Sequence, residues 1–83
     1  MKTVTLYTTD TCPYCRNAKA LLASKGAAMQ EINIQREPGK FEEMLSRSNR
    51  RSVPQIFIGD THIGGFDDLA RLDRQGGLMS MLA

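Results

Sequence analysis

"KTVTLYTTDTCPYCRNAKALLASKG", residues 2–26, decides the fold. Its opening, Lys2 to Thr8, is rich in Val, Thr and Tyr and alternates polar with apolar residues, the pattern of a half-buried strand. "TTDT" follows as a short loop. From Pro13 to about Lys25 the period changes. Ala18, Leu21 and Leu22 recur at helical spacing, Pro13 suits a first helical position, and Gly26 supplies a stop. The only two cysteines of the chain, Cys12 and Cys15, fall where strand and loop give way to helix.

Working outward, "MQEINI" (residues 29–34) alternates again and fits a second strand. "REPGKFEEMLSRSN" carries Phe41, Met44 and Leu45 at the spacing of a short amphipathic helix. "VPQIFIGD" reads as a third strand with Pro54 at its start, where proline is tolerated. Gly59-Asp60 makes a turn into "THI", a short returning strand. "GGFDDLARLDRQGG" reads as a helix opened by one glycine pair and closed by another, and "LMSMLA" as a last apolar turn or helix. The first strand-helix-strand unit implies two parallel neighbours joined by a right-handed crossover. The hairpin then adds two antiparallel strands. The expected class is α/β, with helices on both faces of a small mixed sheet.

Composition bounds the function. The 83 residues argue for a single domain over 1–83, with a thin core. A net charge of +2 with no basic run argues against nucleic acid as partner. No apolar stretch approaches the roughly 18 residues of a membrane span, so no membrane partner is expected. The N-terminus lacks the apolar run of a secretory signal, which makes a cytoplasmic setting the expectation.

Two cysteines three residues apart close too small a loop to staple a fold. Zinc needs four ligands, and the chain offers Cys12, Cys15, the lone His62 and carboxylates, so no metal site is expected. Chemistry is the better reading. Cys12 precedes a helix, where unpaired N–H groups and the positive end of the dipole favour an anion such as thiolate. In CxxC motifs the leading thiol's pKa falls from about 8.5 to roughly 3.5–7.5. Cys15, one turn on, is within disulfide reach. Pro13 stiffens the turn and Tyr14 offers a flat amphipathic wall.

"CPYC" after the first strand, "SVPQIFI" opening the third and "GGFDD" opening the last long helix together resemble the glutaredoxins, of the short bacterial dithiol type. The resemblance runs from Val4 to Leu78. It implies a thioredoxin fold with sheet order 2-1-3-4. It implies that Cys12 is the exposed nucleophile and Cys15 the resolving thiol. Val53 would pair its backbone with the cysteinyl part of glutathione, beside a cis Pro54. Gly65, Phe66 and Asp67 would hold the γ-glutamyl end, the free N–H groups of a helix start accepting its carboxylate. Asp67 and Asp68 could equally serve as helix caps. Thr9 stands where many relatives carry a Lys near the glutathione glycyl carboxylate. Arg51 stands where Thr is usual and would either restore that cation or lie solvated. Phe66 stands where some relatives carry an extra Cys.

The function so implied is a glutathione-dependent thiol-disulfide oxidoreductase, with glutathione as reducing co-substrate. Its substrates would be glutathione-protein mixed disulfides and protein disulfides such as that of ribonucleotide reductase, and the protein would act as a monomer. Two alternatives come from other classes. One is a [2Fe–2S] cluster carrier using Cys12 and glutathione, against which Pro13 argues. The other is a thioredoxin-like reductant, against which the absence of Trp argues.

Overall fold

The computed structural model describes all 83 residues. In chain order it contains β1 (Val4–Thr8), α1 (Pro13–Ser24), β2 (Met29–Asn33), α2 (Lys40–Ser48), β3 (Gln55–Ile58), β4 (Thr61–Gly64), α3 (Phe66–Arg74) and α4 (Leu78–Leu82). The four strands lie in the order β2-β1-β3-β4. β1 pairs parallel with β2, from Val4 opposite Met29 to Thr8 opposite Asn33. β3 runs antiparallel to both β1 and β4. This is the α/β thioredoxin-fold topology expected.

Side-chain alternation along the strands divides the interior. Val4 and Leu6 of β1 and Ile56 and Ile58 of β3 point to one face, where they pack with Ala18 and Leu22 of α1, Leu69 of α3, and Leu78 and Leu82 of α4. Tyr7 and Phe57 point the other way and pack with Ile32 and with Met44 of α2. That second face is partly polar. The buried Tyr7 hydroxyl donates to Glu43 and accepts from Arg47 Nη1 at 2.8 Å. The Arg47 guanidinium also sits 4.1 Å from the Phe57 ring centroid. Burial raises the Tyr7 pKa, which keeps its hydroxyl a proton donor to Glu43.

Several element boundaries differ from the sequence reading, β1 starting at Val4 rather than Lys2 and β2 ending at Asn33 rather than Ile34, and two of the differences shape the loops around them. The third strand begins at Gln55 rather than Val53, because β1 offers no partner beyond the Tyr7–Gln55 pair. Val53 and Pro54, joined by a cis peptide bond, therefore form a loop rim ahead of the strand. The last long helix opens at Phe66, not at Gly64, which instead ends β4 opposite Ile56. Gly64 holds φ at +121°, and a Cβ there would collide with the Asp68 carboxylate, so glycine is required.

Candidate active site

Cys12 is the N-cap residue of α1, in extended conformation with φ −139° and ψ 100°. Its sulfur takes the place of the usual capping oxygen. The Cys15 backbone N–H donates to Cys12 Sγ at 3.1 Å. An N–H aimed at sulfur from a helix start favours negative charge on that sulfur. The Cα atoms of Cys12 and Cys15 are 5.1 Å apart, and their sulfurs face each other in a disulfide. Cys12 Sγ also lies 3.9 Å from the Val53 carbonyl oxygen.

The expectation of an exposed Cys12 needs correction. Only 7% of the residue is accessible, against 2% for Cys15. The Cys12 sulfur turns inward to Cys15 and toward Val53, which leaves it the more accessible of the pair but recessed.

Beside this pair runs a groove of about 310 Å³. Tyr14 of α1 forms one wall. Arg50, Ser52, Val53 and Pro54, from the loop between α2 and β3, form a second. Gly65, Phe66, Asp67 and Asp68, at the start of α3, complete it. The Tyr14 and Phe66 rings stack across it, with centroids 6.4 Å apart and planes 28° from parallel. Three segments far apart in sequence meet because the strands before α1 and α3, and the loop entering β3, converge at one end of the sheet.

The start of α3 is wired in detail. Asp68 Oδ2 accepts from the Gly65 backbone N–H at 2.9 Å and from Arg50 Nη1 at 3.0 Å. The Gly65 N–H, then Arg50, hold the Asp68 carboxyl below its ordinary pKa. The open capping question of the sequence is thus divided. Asp68 caps the helix, while Asp67 stands exposed on the groove lip. With the Gly65 N–H engaged, the donors left free at this helix start are those further into the first turn.

Of the residues singled out in the sequence, Cys12, Cys15, Tyr14, Val53, Pro54, Gly65, Phe66 and Asp67 come together here. Thr9 and Arg51 do not. Thr9 lies in a separate polar depression with Asp10, Glu31 and Arg36. The Arg51 guanidinium sits 5.5 Å from the Phe41 ring centroid, at the start of α2. Arg50, Ser52 and Asp68 line the groove without having been expected there. Ser52 adjoins the recognised "VP" segment, but no spacing signals that Arg50 reaches across to α3.

Comparison with known proteins agrees with this geometry. The Glutaredoxin family model matches residues 4–63. The chain is 56% identical over 82 residues to glutaredoxin 3 of Escherichia coli (strain K12), covering 99% of each. It superposes on the solution structure of a glutaredoxin from Brucella melitensis with a TM-score of 0.85 at 51% identity, covering 99% of this chain and 89% of that one. A buckwheat glutaredoxin–glutathione complex gives a TM-score of 0.87 at 34% identity, covering 95% and 74%. A recessed, N–H-capped CxxC pair on this fold, with similarity along nearly the whole chain, means that the protein belongs to the glutaredoxin family of thiol-disulfide oxidoreductases.

Proposed function

We propose that the chain uses glutathione to reduce glutathione-protein mixed disulfides and, through both cysteines, protein disulfides such as that of ribonucleotide reductase. The observation that carries this is the Cys12 sulfur, capped by the Cys15 N–H and lying beside the Val53 rim of the groove.

In the first reaction the Cys12 thiolate attacks the glutathione sulfur of the mixed disulfide. The protein thiolate leaves, and glutathione is bonded to Cys12. A second glutathione thiolate attacks that glutathione sulfur. Oxidised glutathione departs and Cys12 regains its thiolate. In the second reaction Cys12 attacks a protein disulfide and is left bonded to the substrate. Cys15 loses its proton and attacks Cys12 Sγ, which releases the reduced protein and leaves the Cys12–Cys15 disulfide for glutathione to reduce.

The groove suits glutathione at each end. The Val53 backbone, which lies ahead of β3, can pair with a cysteinyl unit as an added strand would. The first turn of α3 offers N–H groups to the γ-glutamyl carboxylate, and the exposed Asp67 faces its ammonium. Arg50 and Ser52 join this set, whereas Thr9 and Arg51 lie outside the lining. We place the enzyme in the cytoplasm as a monomer.

The test is recycling. With a glutathionylated peptide as substrate, glutathione plus glutathione reductase should sustain turnover, while thioredoxin reductase should not. Turnover supported equally by thioredoxin reductase alone would overturn the assignment of the electron donor.

A further inference from the structure

We infer that Gln55 and His62, neither of which lines the groove, are positioning residues that aim the Val53 N–H into it. The inference deepens the proposed glutathione reading and rests on its pairing of Val53 with a cysteinyl unit.

Gln55 is the first residue of β3, and it is wholly buried on the α2 face. A buried amide must satisfy both of its ends. Gln55 Nε2 donates to the Ser52 carbonyl oxygen at 3.0 Å and approaches Ser52 Oγ at 3.4 Å. Gln55 Oε1 lies 2.8 Å from His62 Nε2. These contacts admit one arrangement. The Ser52 carbonyl can only accept, so the amide nitrogen must face it. Oε1 then faces His62, whose Nε2 must carry a proton and donate. His62 is itself held by its ring, 4.9 Å from the Phe57 centroid. The result is a directed chain from His62 to Gln55 to Ser52.

The consequence lies in the next atom. The Ser52 C=O and the Val53 N–H belong to one planar peptide unit, and they point in opposite directions. Drawing the Ser52 oxygen inward to Gln55 therefore turns the Val53 N–H outward, toward the groove that Val53 lines. Without that anchor the Ser52–Val53 peptide could rotate, and the donor would lose its aim. His62 contributes by preventing the Gln55 amide from flipping. Its Nε2–H is present in both neutral and cationic imidazole, so the chain does not depend on the His62 protonation state.

The test compares two mixed disulfides of one peptide, with glutathione and with cysteamine. Cysteamine keeps the sulfur but lacks the cysteinyl carbonyl that would accept from Val53. The wild-type enzyme should show a lower KM for the glutathione adduct. Gln55→Leu and His62→Phe should raise that KM about three- to tenfold, the worth of one net hydrogen bond. Their kcat, their KM for the cysteamine adduct and the alkylation rate of Cys12 should stay near wild type. His62→Phe keeps the ring on Phe57, so it decides the matter if Gln55→Leu fails to fold. The Val53 amide resonance should shift in either folded variant. A wild type indifferent to the two adducts would overturn the glutathione groove itself. A wild-type preference retained by His62→Phe, with an unmoved Val53 amide, would overturn the positioning role alone.

Discussion

The Cys15 backbone N–H donates to the Cys12 sulfur across 3.1 Å. The contact comes from main chain, so it survives replacement of the Cys15 side chain. Cys15→Ser should keep Cys12 reactive and retain turnover of glutathione mixed disulfides. The same variant should lose most reduction of protein disulfides by the two-thiol route, because nothing is left to attack Cys12. Cys12→Ser should abolish both activities. Steady-state assays on a glutathionylated peptide and on a protein disulfide separate the roles, and the reverse pattern would mean that Cys15 is the nucleophile.

Arg50 and Arg51 are neighbours with different duties. Arg50 spans from the loop rim to Asp68 at 3.0 Å and lines the groove, while Arg51 covers Phe41. Arg50→Ala should raise KM for a glutathionylated substrate about two- to fivefold, the scale of a partly exposed charged contact. Arg51→Ala should change it less than about twofold by the same scale. A larger effect at Arg51 would place the working cation over Phe41.

Asp68 gives a pH signature. Its folded pKa lies below its ordinary value, chiefly through the Gly65 N–H and then Arg50. The unfolded chain therefore binds the proton first, and the stability that the carboxylate adds is full above about pH 4 and fades as pH falls through the folded value. Asp68→Asn should cost about 1 kcal/mol near neutral pH. The gap from wild type should narrow as pH falls below about 4 and close once the folded carboxyl is itself protonated. Urea midpoints across that range measure it, and a gap that is constant with pH would rule out an ionised cap.

Tyr7→Phe removes the hydroxyl that links Glu43 and Arg47. It should cost about 1–2 kcal/mol in denaturant unfolding, since both partners lose a bond at the edge of the core. Turnover should be unaffected, because Tyr7 lies on the α2 face and no part of it reaches the groove. A fall in kcat would show that the α2 face bears on the thiols.

Much of this was legible in the residues. Val, Thr and Tyr alternating before a helix at Pro13 marked β1 and α1, and the Cys12 position at that junction marked the chemistry. Parallel and antiparallel pairings followed from the connections. What stayed hidden depends on contacts between distant segments. Gln55 sits in an apolar run and reads as a strand residue; only the fold shows its amide reaching back to Ser52. Arg50 carries no periodic signal, and its partner is 18 residues away. Asp67 and Asp68 are equivalent on paper, and only the path of the chain through Gly64 decides which one turns back to cap.

The sheet also apportions the interior unequally. Nine buried apolar residues secure α1, α3 and α4 on one side, whereas four, Tyr7 among them, receive α2 on the other. Endurance should be unequal in the same way, with α2 surrendering its amide protons to solvent sooner than α1. The chain leaves α2 directly into the Arg50–Val53 rim, while Cys12 caps the better-anchored helix and Cys15 lies within it. Warming should then erode discernment before reactivity: a molecule still able to trade disulfides, but less particular about whose.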